Sequence, residues 1–340
     1  MQSTPLLTVA IVTLNRAWII DKAIASIKNQ TYPHEKIFVL IVDGESKDGT
    51  PEVSKKLLSE SDFNGFEVVI QKSSIPEARN ICLKKKKGEL LLFWDSDVIL
   101  PSNAVLTLVE TLHKENADLV TTEVKQITVK SQTEKIDLKL QEPEKLQDTE
   151  AYVSPVKTAM MGETLLSKKL AENLSFDPDL TTQEDVDFCL RAKEKGYKLV
   201  VNRNIVALDV NMFTMAHSDI SIDMPLKDAI RGVRKKSRVQ VYAFDLSVNF
   251  KDKLHFLIQF RRYGFYLLYL PIIVLSVFGV LLQNVFLALA FPVYAALYTV
   301  LQIKKRGLKK GLKAFVYSLI VGIPDAFWFA IYYVKYSLTG

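Results

Sequence analysis

From residue 6 to residue 122, short apolar runs alternate with stretches whose apolar positions recur every three or four residues. Strands are expected at 6–14, 36–42, 67–71, 89–94 and 118–122, and helices at 17–29, 51–61, 75–86 and 103–115. In the first of these helices Ala23, Ile24 and Ile27 fall at helical spacing. Strands separated by helices of about 10 to 15 residues imply an α/β fold with a mostly parallel sheet covered on both faces. Ligands of such sheets bind beyond the carboxyl ends of the strands. The chemistry is therefore expected at Thr13–Arg16, Asp43–Ser46 and Asp95–Asp97, which are three such ends. Between Lys125 and Val156 the pattern loosens into a polar stretch with Pro143 and Pro155, either an excursion of strands or a flap. Order returns at 158–170 and in a helix at 184–195, which Gly196 stops before a strand at 198–201.

The end of the chain reads differently. Three apolar runs follow residue 263, at 265–282, 285–303 and 314–334, with a tight turn at Gln283-Asn284. Each is about 18 to 21 residues long, enough to cross a bilayer core as a helix. The expected organisation is a catalytic domain over 1–224, a basic interfacial helical segment over 225–263, and a membrane domain over 264–340 with three transmembrane helices.

The composition, 49% hydrophobic with a net charge of +6, fits that division because both excesses are localised. Lys304-Lys305-Arg306, Lys309, Lys310 and Lys313 lie between the second and third runs; Lys251, Lys253, Arg261 and Arg262 precede the first. The positive-inside rule puts both clusters on the cytoplasmic side of a multi-pass cell-membrane protein, with the C-terminus outside. Anionic lipid headgroups account for these charges better than nucleic acid does. No basic residue precedes Leu6, so the start is not read as a secretory signal. Cys82 and Cys189 are too few for a disulfide framework and fit a reducing cytosolic setting.

Asp95-Ser96-Asp97 follows the apolar run Leu90–Trp94. Two carboxylates at i and i+2 just past a strand can grip one Mg²⁺ or Mn²⁺, since hard cations take oxygen ligands. A cation held there can neutralise a diphosphate. Alone the pattern is common in surface turns, and its weight comes from its neighbours in the chain.

Those neighbours are Val-Ala-Ile-Val-Thr-Leu-Asn-Arg (9–16), Ile-Val-Asp-Gly-Glu-Ser-Lys-Asp-Gly-Thr (41–50), Ile-Pro-Glu-Ala-Arg-Asn-Ile-Cys-Leu (75–83), Lys-Gly-Glu (87–89) and Trp-Asp-Ser-Asp (94–97). Phe-Asp-Pro-Asp-Leu-Thr-Thr-Gln-Glu-Asp-Val-Asp-Phe-Cys-Leu-Arg-Ala follows. Over about residues 6–205 the chain resembles glycosyltransferase family 2, the inverting enzymes with the GT-A nucleotide-diphospho-sugar fold. The resemblance implies that Asp43 accepts a hydrogen bond from the nucleobase, helped by the backbone near Thr13 and Asn15. Arg79 would fork onto phosphate or brace the metal carboxylates. Asp97 would be the more direct ligand of Mg²⁺ or Mn²⁺, and Asp95 would lie nearer the ribose and the metal. A third ligand is open between Asp209 and His217, with Asp209 favoured. Asp185 would be the base that deprotonates the acceptor, and Glu184 would orient it or hold the acceptor. The plainer alternative is that Glu184 and Asp185 only complement the dipole of a helix start. Asp48-Gly49-Thr50 reads as a turn and a helix cap.

The expected activity is transfer of one sugar from a UDP- or GDP-linked donor to a polyprenyl-linked glycan hydroxyl or other membrane lipid acceptor. The Gln-x-x-Arg-Trp motif of processive members is absent, which disfavours polymer extrusion. A polyprenyl-phosphate sugar synthase is the alternative; it commonly carries a polar ligand where this chain has Ile99. A non-catalytic membrane scaffold is the alternative of another class. Asp325, near the middle of the last apolar run, is costly at that depth and has no assigned role.

Overall fold

The computed structural model describes residues 4–129, 131–132, 152–180, 183–212, 272–317, 327–328 and 331. The chain divides into two compact units, Met1–Thr214 and Met215–Gly340. The expected segment at 225–263, together with His217 and Asp325, lies outside the described residues, as does most of the stretch from 125 to 156.

In the first unit the alternation of the sequence becomes β1 (Leu7–Thr13), α1 (Ile20–Lys28), β2 (Ile37–Asp43), α2 (Thr50–Ser59), β3 (Gly65–Ile70), α3 (Ile75–Lys85) and β4 (Leu90–Trp94). Then come a short β5 (Val98–Ile99), α4 (Ala104–Lys114), β6 (Leu119–Val129), β7 (Val153–Pro155), β8 (Glu163–Leu166), α5 (Lys168–Asn173), α6 (Glu184–Glu194) and β9 (Leu199–Met212). Among the described residues these nine strands form one sheet in the order β3-β2-β1-β4-β8-β6-β9-β5, with β7 also paired to β9. β1 to β4 run parallel to one another, as the helical crossovers require. The sheet is nevertheless mixed: β8 runs antiparallel to both β4 and β6, and β5 and β7 run antiparallel to β9. The mostly parallel expectation is corrected there, with β8 inside the sheet between β4 and β6. The reversal matters, because the first residue of β8 comes to lie at the same end of the sheet as the last residue of β4.

Strands buried on both faces read as continuous apolar runs, and β2 and β4 are buried at every position. On one face Val9, Ile11, Val39, Ile41, Leu92 and Trp94 pack against α1 and α4 through Ile20, Ile24, Val105 and Leu108. On the other, Leu40, Phe93 and Leu166 meet Ala78, Cys82, Phe176, Phe188 and Cys189. Burial pushes both thiols up to about 12, so Cys82 and Cys189 act as core residues.

In the second unit residues 272–281 are helical, followed by α8 (Val285–Ala288), α9 (Ala290–Arg306) and α10 (Leu308–Tyr317); the helix at 272–281 is α7. The turn at Gln283-Asn284 is present, with Gln283 left-handed at φ 52° and the Asn284 side chain capping the Leu287 amide. Among the described residues no helix is long and apolar enough to cross a membrane. The expected span at 285–303 is corrected: it breaks at Leu289 into α8 and α9. The break has a local cause, since Pro292 has no N–H to donate to the Ala288 carbonyl; Ser276 Oγ takes up the freed groups, donating to that carbonyl at 2.5 Å and accepting from the Phe291 amide at 3.1 Å. The expected spans at 265–282 and 314–334 lie partly outside the described residues. Val277, Phe278, Val280, Leu281, Phe286 and Leu297 are all exposed in this unit.

Candidate active site

Five chain segments bring their polar residues to one end of the sheet: the ends of β1, β2 and β4, the start of β8, and the N-terminus of α6. At the β1 and β2 ends, Thr13 and Asp43 stand in register. Asp43 is fully buried, and its two oxygens accept from the Ser46 amide at 2.7 Å and the Ser46 hydroxyl at 2.6 Å. The Ser46 hydroxyl accepts from the Asn15 amide, and Asn15 Oδ1 accepts from the Lys47 amide. Asn15 takes a left-handed conformation, φ 52°, to make this exchange. Asp43 thus shapes the turn on which a base would rest, while the buried Thr13 hydroxyl has no hydrogen-bond partner. Asp48 accepts from the Ala17 and Thr50 amides, the turn-building role read from its sequence.

At the β4 end, Asp95 is held close to β8 by its own amide, which donates to the Gly162 carbonyl at 2.8 Å. The approach requires glycine there, because a Cβ on residue 162 would stand 2.6 Å from Asp95 Oδ2. Asp97 is locked on the other side, its carbonyl accepting from the Val210 amide at 2.9 Å. Asp209 lies one residue before, inside β9 and opposite Val98, because the strand expected at 198–201 runs on to Met212. Burial first, and then the Asp95 carboxylate, push the Asp97 carboxyl up to about 7; Arg16, 3.5 Å away, opposes the rise and Asp209 adds to it.

At α6, Gln183 turns the chain through a left-handed conformation, φ 62°, directly before Glu184 and Asp185. Strain of this kind persists where surrounding structure holds it. Arg79, buried on α3 beside the touching rings of Phe93 and Phe176, donates to Glu184 Oε1 at 2.7 Å and lies 3.8 Å from Asp95 Oδ1. One guanidinium therefore ties the β4 acids to the α6 acids across 105 residues of chain. Burial raises the carboxyls of both Glu184 and Asp185, and Arg79 pulls both back.

Among the described residues no three His, Cys, Asp or Glu side chains converge as a ready-made metal cage. The three expected ligands, Asp95, Asp97 and Asp209, lie within electrostatic reach of one another without forming such a group. The donor set still fits a cation of another kind. Mg²⁺ is commonly held by one or two carboxylates with substrate phosphates and water completing the shell, and the mutual repulsion of Asp95, Asp97 and Asp209 favours positive charge between them.

Glu163, not singled out by the sequence, opens β8 opposite Trp94. It is 1% exposed, and neither carboxyl oxygen has a hydrogen-bond partner. Burial, then Asp95 and Asp209, raise its carboxyl well above the usual range. The signal that marks it is an acid in the otherwise uncharged run Thr158–Ser167.

Comparison with known proteins agrees with this architecture. Residues 8–173 match the family described as Glycosyl transferase family 2. Glycosyltransferase AglE of Haloferax volcanii is 34% identical over 100 residues, 28% of this chain and 32% of that protein. A dolichyl N-acetyl-alpha-D-glucosaminyl phosphate 3-beta-D-2,3-diacetamido-2,3-dideoxy-beta-D-glucuronosyltransferase of Methanococcus voltae is 26% identical over 59% of this chain and 65% of its own length. The chain thus spans less than two thirds of either curated relative. Among solved structures, S. aureus TarS residues 1–349 in complex with UDP-GlcNAc gives a TM-score of 0.53 at 17% identity, covering 98% of this chain and 92% of that one. The mannosyltransferase PcManGT of Pyrobaculum calidifontis, in complex with GDP-Man and Mn²⁺, gives 0.52 at 16%, covering 98% and 87%. These likenesses show a shared α/β fold of the GT-A type.

Proposed function

We propose that this chain, which carries a glycosyl transferase family 2 domain over residues 8–173, is an inverting, non-processive glycosyltransferase. It moves a single sugar from a nucleotide-diphosphate donor to a lipid-linked acceptor. The observation that carries this reading is the buried Arg79, which holds Asp95 beside Glu184 and hence beside Asp185. An inverting displacement needs a leaving-group site and a base on opposite sides of one anomeric carbon, and the two acidic pairs supply them.

Asp185 takes the proton of the acceptor hydroxyl as its oxygen attacks. Glu184, gripped by Arg79, fixes the first turn of α6 and so the reach of Asp185. Asp95 and Asp97 hold Mg²⁺ or Mn²⁺, which offsets the charge of the departing diphosphate. Thr13, Asn15 and Asp43 form the nucleoside end, where the spare lone pairs of Asp43 face a base such as uracil or guanine. The structures bound to UDP-GlcNAc and GDP-Man leave both donors open.

A lipid acceptor is supported by the dolichyl-linked substrate in the name of the Methanococcus relative and by the tail. Its exposed Phe278, Val280, Leu281, Phe286 and Leu297 suit a hydrocarbon surrounding better than water. Its lysines suit the cytoplasmic headgroups of a cell membrane, with the catalytic domain on that face. A glycan hydroxyl is favoured over a polyprenyl phosphate as nucleophile. Ile99, where a synthase places a polar ligand, is buried and paired with Leu208.

The test is incubation of the full chain with radiolabelled nucleotide sugars and total membrane lipid extract. Label passing into organic solvent, lost on Asp185→Asn, supports the reading. Retention of activity in that variant would move the assignment to a phosphate acceptor, and no transfer from any donor would end it.

A further inference from the structure

Among the described residues, Glu163 is the most deeply buried acid at the sheet's end that the mechanism above does not use. Its place is dictated by strand pairing. Residues directly opposite in an antiparallel pair share a face, so Glu163 stands on the face of Trp94, and Leu165 follows it there. Arg79 instead packs on Phe93 and Phe176, members of the core on the opposite face. Glu163 is therefore the last residue of an apolar column, at the end of the sheet where Asp95 stands. Its neighbour Gly162 carries Asp95 on its carbonyl, and its carboxyl lies within electrostatic reach of Asp95, Asp209, Asp185 and Arg79. The acids that would hold the cation and the acid that would act as base are thus both among its neighbours, and in an inverting displacement the transferred sugar lies between such groups.

Buried polar groups in native proteins find partners, and exceptions call for an explanation. Here both oxygens of one carboxyl lack a hydrogen bond, while the acids around it are engaged. Two acceptor oxygens about 2.2 Å apart, by the standard geometry of a carboxylate, match two donors on adjacent carbons of a pyranose ring.

We propose that Glu163 reads the transferred sugar, accepting hydrogen bonds from two neighbouring donors on its ring: vicinal hydroxyls, or a hydroxyl and an acetamido N–H. The inference rests on the transferase reading. It adds the specificity-determining side chain and the feature of the sugar that it selects. A site built to hydrogen-bond a substrate group rejects analogues lacking that group far more strongly than an apolar site rejects a missing methylene.

The experiment compares the full-length wild type with Glu163→Met, an apolar replacement of similar length, and Glu163→Gln. Thermal melting, affinity for free UDP and GDP, and kcat/KM for donor turnover are measured with nucleotide sugars and their monodeoxy analogues. The wild type should discriminate against deoxy analogues by about 100-fold or more at two adjacent ring positions. Glu163→Met should bring that ratio to within a few-fold of unity at those positions only. It should keep nucleoside-diphosphate affinity and melt at or above the wild-type temperature, because it removes an unpartnered buried carboxyl. Glu163→Gln should retain an intermediate ratio, since one acceptor oxygen remains. Unchanged discrimination in Glu163→Met overturns the proposal. So does a joint fall of melting temperature and nucleoside-diphosphate affinity, which would make Glu163 a structural prop. A wild type that binds neither UDP, GDP nor any nucleotide sugar overturns the transferase reading and this proposal together, which separates the two failures.

Discussion

The acids that follow β4 and the acids that open α6 are both pairs at the same end of one sheet, yet the protein neutralises them differently. Glu184 has a buried internal counter-ion, Arg79, at 2.7 Å. Among the described residues Asp97 has only Arg16, a third exposed and 3.5 Å away, while Asp95 and Asp209 push against it. Exposed ion pairs contribute little, so the charge of the first pair is left for something from outside. The difference separates their tasks. Glu184, with a guanidinium hydrogen-bonded to it, is held in position; Asp95 and Asp97, whose guanidiniums stand 3.8 and 3.5 Å off, are left able to receive a cation.

The largest effect should come from the base. Asp185→Asn is expected to lower kcat by about 10²- to 10⁴-fold while donor binding stays near wild type, as a kinetic series with a donor-displacement assay would show. Loss of donor affinity in step with kcat would instead make residue 185 part of donor binding.

Removing the internal counter-ion comes next. Arg79→Ala leaves Glu184 buried and uncompensated, which costs about 3–5 kcal/mol of stability and should appear in denaturant unfolding. Arg79→Ala/Glu184→Ala should recover part of the loss. A double variant no more stable than Arg79→Ala would show that the pair is not the reason for the burial.

A third prediction uses pH. The Asp97 carboxyl is raised to about 7, so without cation its contribution to stability is complete below the ordinary carboxylate range and is lost as pH rises through about 7. Melting curves in chelator should therefore fall more steeply between pH 4 and pH 7 for the wild type than for Asp97→Asn. Parallel curves would contradict the crowding of negative charge at the first pair. For Asp185, also raised, the acid limb of kcat/KM should lie above the usual aspartate range.

The smallest expected change is steric. Gly162→Ala should displace Asp95, since its Cβ would meet that carboxylate at 2.6 Å. It should weaken cation-dependent turnover more than it lowers the melting temperature.

Much of this site was legible in the sequence, for definite reasons. β1, β2 and β4 are buried on both faces, so each reads as an apolar run, and the polar residue that ends each run marks the sheet's functional edge. The acidic start of α6 stood out in the same way. β8 was hidden: four residues long and reversed, it follows a polar stretch, and its antiparallel pairing is a long-range property that periodicity does not carry. Glu163 was lost with it. The reach of β9 to Met212 was also missed, because Asn202, Arg203 and Asn204 interrupt the apolar pattern. In the tail, length and hydropathy pointed to an unbroken helix from 285, whereas Pro292, which cannot donate to the Ala288 carbonyl, breaks it at Leu289, and a hydroxyl from Ser276 takes up the freed groups. A hydropathy sum does not register the missing donor of an apolar proline.

The two kinds of acidic pair meet in one measurement: calorimetric titration of Mn²⁺ into the full chain, alone and with saturating UDP or GDP. Two carboxylates without a cage should bind the cation weakly alone and at least tenfold more tightly with the diphosphate, and by linkage the nucleotide should gain the same factor. Asp97→Asn should abolish that gain, whereas Asp185→Asn should preserve it. Tight Mn²⁺ binding without nucleotide, or nucleotide affinity indifferent to the cation, would contradict the account.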